Sequence, residues 1–409
     1  MKRGITLLIV LLVSAINVRA DELPAKIRPD FEVDNISYKI LSTEDKTVAV
    51  SCRETSFWCG YIDVRYDNRL YEGDLVIPST VTFEDTEFTV TGIYDHAFDD
   101  CEGLTSVAIP KTVTWIGGWA FRACLRLLSV NIPESVTSIG ENAFAYCNEL
   151  TILTLPDGIT DIGAGAFSDC SRLTSINIPQ SLTTISKQML AYCTSLAAIS
   201  IPNNVTAIGQ EAFLHCHSLA SLHIPESVTT IGNQAFAHCS GLKEINFPAG
   251  VQNEADMGEA CYAYCNSALK LTIPESVSRI PNKSFMFCHS LLSITIPVSI
   301  NSLGSQAFEY CSGIQYVMAK NDVPAKILDD TFWNYNIPLY LPDGATQYYR
   351  NAAGWKNFKI VIEGKPASIY TPTKESHTNG KTYLLNGRQA VSPSQPGIYI
   401  RNGRKFIVR

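Results

Sequence analysis

The sequence predicts an α/β repeat solenoid: an array of short parallel strands alternating with brief helical or 3₁₀ turns, with small β-rich modules at both ends. Ten cysteines predict it first: Cys101, Cys124, Cys147, Cys170, Cys193, Cys216, Cys239, Cys265, Cys288 and Cys311 recur in register. The step is 23 residues, except for 26 between Cys239 and Cys265. Around each lies one apolar pattern, as in Ile139-Gly140, Ala143-Phe144, Cys147, Leu150, Leu153, Leu155-Pro156 and Ile159. Self-similarity at a period of roughly 20–50 residues marks a stack in which each unit covers the open core of its neighbour.

The elements follow in chain order. Residues 1–20, MKRGITLLIVLLVSAINVRA, place Lys2 and Arg3 before an apolar run too short to span a bilayer comfortably and end in Val18-Arg19-Ala20. This is the make-up of a cleaved signal peptide. No cysteine stands at the expected cleavage point, which argues against a lipid anchor, and no later stretch is apolar enough for a membrane helix. Residues 21–92 are read as a β-rich lead-in, 93–335 as the solenoid, 336–363 as a C-terminal cap and 364–409 as a basic β-type tail.

Within one unit, Leu173, Ile176 and Ile178 lead to Pro179; the last two alternate as in a strand, and the proline ends the ladder. Ala166 and Cys170 are four apart around Phe167, the spacing that predicts a brief helical or 3₁₀ turn. Val205 and Ile208, after the proline of their unit, return two more apolar groups to the interior as a second short strand. Stacked parallel strands repeat a position at about 4.7–4.9 Å. Disulfides need Cβ atoms about 3.5–4.5 Å apart with a near-perpendicular torsion. The ladder cysteines are therefore expected as free, buried thiols that act as small apolar residues. Cys52 and Cys59, in SCRETSFWCG outside the array, are the candidates for a disulfide in an oxidising, exported setting.

The longer step after Cys239 comes from VQNEADMGEA, which carries three extra residues, made acidic by Glu254 and Asp256. Insertions into solenoids leave as loops. Cys261 takes the place of the usual alanine beside Cys265.

With AFAYCNELTILTLPDGITDIGAGAF in view, the array resembles the BspA-like family of leucine-rich-repeat proteins, whose 23-residue units carry the same Ala-Phe, Cys, Leu, Ile-Pro and Ile-Gly marks. The resemblance covers residues 93–335. FEVDNISYKI and YEGDLVIPSTVTFEDTEFTVTGIYDHAF are similar to the strand-rich lead-in of such proteins, and LYLPDGATQYYRNAAGWKNF to their closing unit, with a short helix and Tyr349, Trp355 and Phe358 over the open end. YLLNGRQAVSPSQPGIYIRNGRKFIVR is similar to the C-terminal sorting domains of exported Bacteroidetes proteins, though short. The resemblance implies a surface or secreted protein engaged in adhesion to host matrix proteins or other microbes.

Composition excludes other classes. The net charge of −7 becomes −10 once Lys2, Arg3 and Arg19 leave with the signal, which disfavours a nucleic-acid partner. His215-Cys216-His217 with His223 and His238 could suggest zinc, but Cys216 belongs to the inward ladder and its neighbours are expected to point elsewhere. No exposed thiolate beside a base, nucleophile elbow, paired-acid motif or phosphate loop is found. No catalytic residue, metal site or cofactor is expected, and a secreted enzyme or inhibitor using the acidic loop is the rival reading, beside a purely structural surface component.

The outward positions of the main strand, fifth and seventh after each cysteine, run from Ser106/Ala108, Ser129/Asn131 and Ser175/Asn177 to Ser221/His223, Glu244/Asn246, Lys270/Thr272 and Tyr316/Met318. They are small and polar early and varied from His223 onward. His223, Glu244, Asn246, Lys270, Thr272 and Tyr316 are the candidate partner-binding face. A protein ligand ranks above a glycan, because a sugar-binding face would carry more aromatic platforms than Tyr316.

Overall fold

A computed structural model describes residues 29–52, 71–248, 250–251 and 256–366, and the backbone of strands Thr382–Leu384, Gln389–Ala390, Gly397–Arg401 and Arg404–Val408. Two columns of short parallel strands run along the array. The main column passes through Ser175–Ile176, Ala198–Ser200, Ser221–His223, Glu244–Asn246 and Lys270–Thr272; the second through Asp161–Ile162, Thr184–Ile185, Ala207–Ile208 and Thr230–Ile231. Both hold the register of the repeat: Ser200 lies beside His223, and Ile208 beside Ile231. The second short strand expected after each proline is thus present.

The segment between the columns is not helical. Ala166 N–H returns to Gly163 O at 3.4 Å, but Phe167 N–H crosses to Met189 O of the next coil at 3.0 Å. Alternate amides thus bond inside the coil and across to its neighbour, which an α-helix, spending its amides internally, cannot do. The left-handed φ recurs every fourth residue, +63° at Gly165 and +59° at Asp169, as the third position of a type II turn requires. The spacing of Ala166 and Cys170 suits these chained turns as well as it suits a helix, and stacking decides between them. The described helices are one short α-helix, α1 (Thr346–Tyr349), and a 3₁₀ turn at Trp355–Asn357, both beyond the repeats.

Close stacking explains the Ile-Gly mark. A Cβ at Gly163 would lie 2.3 Å from Glu141 N of the preceding coil. The interior holds a file of stacked rings, Phe98, Phe121, Phe144 and Phe167, with centroids 5.0, 5.0 and 5.8 Å apart. Leu190 interrupts it, and it resumes from Phe213 through Phe236, Tyr262, Phe285 and Phe308 to Phe332.

The lead-in joins the stack directly. Strands β1 (Phe31–Val33), β2 (Ile36–Ser42) and β3 (Thr47–Ser51) form an antiparallel meander; β4 (Gly73–Val76) pairs parallel with the first main-column strand, and β5 (Thr80–Phe83) pairs antiparallel with β6 (Thr86–Ile93). β3 and β6 run parallel, and β6 opens the second column against Trp115–Ile116. At the other end Trp355 is buried with its Nε1 donating to Ala325 O at 2.7 Å, and the Tyr349 hydroxyl donates to Asn321 O at 2.9 Å. The tail strands form a separate four-stranded antiparallel sheet.

Past the insertion, stacking resumes at once. Met257 bridges Ile231, and Gly258 N–H donates to Ile231 O at 2.8 Å, the bond that Gly232 N–H makes to Ile208 O one coil earlier. Glu254 lies outside the described residues.

Candidate partner-binding face

The cysteine ladder is fully enclosed. Cys124 through Cys288 are wholly buried, and none of the ladder thiols forms a disulfide. From Cys124 to Cys311 each also makes a hydrogen bond that spacing alone does not reveal: the thiol donates to the carbonyl of the residue at the phenylalanine position in the preceding coil. Cys147 reaches Phe121 O at 3.3 Å, Cys170 Phe144 O at 3.2 Å and Cys288 Tyr262 O at 3.3 Å. Burial pushes the Cys170 and Cys239 thiols up to about 12, so neither supplies a nucleophilic thiolate near neutrality. Cys261, at the alanine position, donates to Gly258 O at 2.9 Å, and Ser284, one coil later, donates from the same place to Pro281 O at 2.8 Å. The odd cysteine thus occupies a site where a small donor ties down the turn. Cys52 is buried, whereas Cys59 lies outside the described residues, as does any bridge between them.

Because side chains alternate along a strand, the main column turns its fifth and seventh positions outward. The structure sets His223, Glu244, Asn246, Lys270, Thr272 and Tyr316 on this one face, on Ser221–His223, Glu244–Asn246, Lys270–Thr272 and Tyr316–Ala319. All but Tyr316 are exposed, and Tyr316 is half-buried. Glu244 lies beside Lys270 and Asn246 beside Thr272 in register. The Glu244 carboxylate and Lys270 ammonium are 4.0 Å apart with side chains 56% and 65% exposed, so solvent screens the pair and both ends remain open to a partner.

Three earlier coils spend an outward group internally. Ser106 Oγ donates to Asp74 Oδ1 at 2.6 Å and Thr105 Oγ1 does so at 3.0 Å; these two bonds hold the Asp74 carboxyl below its ordinary value. Asn131 Oδ1 accepts Ile109 N–H at 2.8 Å while its Nδ2 donates to Ile109 O at 3.3 Å, and Asn177 clamps Leu155 at 2.7 and 2.8 Å. Asn246 holds the equivalent place and, among the described residues, makes no such clamp. Sequence reasoning treats these asparagines alike, and the structure separates them.

A second feature escapes the pattern of outward strand positions. The residue before each ladder cysteine, at left-handed φ, carries a half-exposed ring from Tyr192 on. Tyr192, His215, His238, Tyr264, Phe287 and Tyr310 form one stacked file with centroids 4.8, 4.1, 4.1, 4.5 and 4.4 Å apart, and Trp333 continues it at 4.4 Å. The signal was the aromatic run in the column ahead of Cys193 through Cys311. Ring faces are spent on one another, so the file offers edges rather than sugar platforms. His215 Nδ1 lies 3.0 Å from His217 Nε2, and burial lowers His238 to about 4, with His215 and His217 adding to the effect. No group of three or more metal-binding side chains occurs among the described residues, and none of their helices is long and apolar enough to cross a membrane.

Comparison with known proteins agrees with this architecture. The family model described as BspA type leucine rich repeat region matches six copies over residues 91–220 and 206–338. No curated protein matches the sequence significantly. Among solved structures, a leucine-rich repeat protein from Bacteroides ovatus is 23% identical, covering 82% of this chain and 100% of its own, with a TM-score of 0.50. The pneumococcal vaccine antigen PcpA is 18% identical, covering 82% of this chain and 98% of its own, with a TM-score of 0.51. At these identities the likeness is one of fold. The repeat match spans more than half of the 409 residues, and the chain belongs to the BspA-type leucine-rich-repeat family.

Proposed function

We propose that this chain is an exported, surface-associated adhesion protein that recognises a protein partner along the main-strand face, through His223, Glu244, Asn246, Lys270, Thr272 and Tyr316. The supporting observation is the change along that face. Of its early outward groups, Ser106, Asn131 and Asn177 are tied to Asp74, Ile109 and Leu155, whereas Glu244 and Lys270 stand exposed with only a 4.0 Å contact between them. Charged, unclamped groups make directional charge-assisted contacts that serines and alanines cannot. The sealed thiols favour recognition over catalysis. Export rests on residues 1–20 and delivery to the surface on the tail, both read from sequence.

The test is capture of the mature chain, residues 21–409, by host matrix and microbial surface fractions, followed by titration against the partner recovered. Alanine at Glu244 and Lys270 together should weaken binding while leaving the melting temperature nearly unchanged, since exposed substitutions shift stability by only about 0.5 kcal/mol. Ser129→Ala with Ser175→Ala is the control. A control pair as damaging as the Glu244/Lys270 pair, or no effect from either, would move the site elsewhere.

A further inference from the structure

The C-terminal end of the stack closes its core but not its sheet. Among the described residues, strand Ile360–Glu363 is bonded on one side only, parallel to Pro338–Leu341, and is terminal in its four-stranded sheet. Gly364 N–H donates back to Leu341 O at 2.9 Å. By strand alternation, Ile360 and Ile362 then also turn their main-chain groups toward Pro338–Leu341, and Val361 and Glu363 turn theirs to the open edge. Ile360 and Ile362 present side chains 44% and 38% exposed on the strand face, beyond Tyr316, Met318 and Tyr340, while Val361 packs on the core.

Edges of this kind are normally blunted by charge, proline, brevity or a covering element, because they invite pairing. This edge carries a different instruction. Lys359-Ile360-Val361-Ile362-Glu363 is its own complement when reversed. We propose that the strand is an isologous contact between two copies of this chain, paired antiparallel about a two-fold axis at Val361. Val361 of each copy then exchanges N–H···O bonds with its counterpart, and Glu363 N–H donates to Lys359 O. Ile360 of one copy faces Ile362 of the other in a non-hydrogen-bonded pair, where side chains approach most closely. Lys359, the bend residue before the strand, whose N–H is spent on Tyr335 O at 3.2 Å, meets Glu363 at both ends. Both side chains are exposed, and Thr346 N–H, donating to Glu363 Oε1 at 3.2 Å, holds that carboxylate in place. A two-fold axis makes each residue serve twice, which a self-complementary segment satisfies and a foreign strand does not require. The contact would join the Tyr316 ends of two recognition faces into one surface.

Sedimentation equilibrium of residues 21–409 over a concentration series at low ionic strength tests this. The wild type should show a concentration-dependent dimer. Lys359→Glu and Glu363→Lys should each weaken association about tenfold or more, since each puts like charges opposite one another at both ends. The double reversal Lys359→Glu/Glu363→Lys should restore the dimer. Hydrogen exchange at Val361 and Glu363 should slow with concentration in step with dimer formation. A wild type monomeric throughout, association indifferent to the single reversals, or a double reversal without rescue would overturn the proposal. So would amides at Val361 and Glu363 that are slow at every concentration, because a segment of the same chain would then cover the edge.

Discussion

Replacement of Cys170 distinguishes two accounts of the ladder. The thiol is fully buried, 3.2 Å from Phe144 O, and that carbonyl also accepts Cys147 N–H at 3.3 Å. Cys170→Ala removes one heavy atom. Its transfer energy is near that of a buried methylene, about 0.8 kcal/mol. The unfilled space and the weak S–H···O bond bring the loss to roughly 1–2 kcal/mol. Cys170→Ser keeps a donor. Were sulfur only an apolar filler, the serine hydroxyl would be buried unpaired and cost roughly 1–3 kcal/mol more than alanine. With Phe144 O in reach, serine should instead fall within about 1 kcal/mol of alanine, the hydrogen bond offsetting most of the burial cost. Guanidinium unfolding of the three proteins side by side, followed by circular dichroism, measures the order. A serine variant less stable than alanine by more than about 2 kcal/mol would refute the donor role. Two neutral variants would refute the packing itself. Thiol labelling of the native wild type gives an independent check: Cys124 through Cys239 should react only after denaturation.

Further outcomes follow from the same geometry. Since the Cys170, Cys239 and Cys261 thiols are held near 12 in the fold, against an ordinary value of 9.0, each contributes stability that is fully present below pH 9. It is lost as pH rises from there toward 12, at about 1.4 kcal/mol per pH unit for each thiol, so alkaline melts should fall steeply and Cys170→Ala should lessen the slope. His238 has the opposite sense: lowered from 6.5 to about 4, it favours the fold while neutral, and stability should decline as pH drops across that window. His238→Phe, which preserves the ring file, should flatten the decline in thermal melts between pH 7 and 4, and an unchanged decline would place its cause elsewhere. Deleting residues 371–409 should leave the array folded by circular dichroism, because Trp355 and Tyr349 seal the core before the cut, but should change delivery to the surface; unchanged display would remove the sorting role.

What the sequence disclosed is what translation repeats. Cysteine, phenylalanine and leucine at a fixed step announce a stack, because each must meet its own copy one coil away. The same logic fixed which strand positions face outward. Spacing misled where two backbone solutions share it: Ala166 and Cys170 fit a helical turn and chained type II turns equally, and only the crossing bond from Phe167 N–H to Met189 O separates them. It was silent where a side chain's partner is a backbone group of another coil, as with Asn131 on Ile109 or Cys170 on Phe144 O. The ring file from Tyr192 to Trp333 was legible in principle, since it occupies one column of the repeat. It is missed when attention stays on the inward and strand-face columns.

Nearest-neighbour stacking also accounts for why the proposed recognition face and the proposed contact lie toward the C-terminal end. In a stack each coil's stability comes from the core it shares with its two neighbours, so outward residues change without disturbing the ladder. Near the lead-in, β4 pairs with the first main-column strand and Asp74 binds Ser106 and Thr105, so the face there is consumed in covering the start of that column. No such junction constrains the coils from His223 on. There the outward positions carry charge and imidazole, then Tyr316, and finally Ile360 and Ile362 beside an open edge. Sealing the core with Tyr349, Trp355 and Phe358 leaves the backbone of Val361 and Glu363 unspent among the described residues, because aromatic side chains can exclude water from apolar neighbours but cannot hydrogen-bond a strand edge. The open edge is therefore a consequence of closing the stack with side chains rather than with another strand, and a second copy is the cover that its own sequence complements.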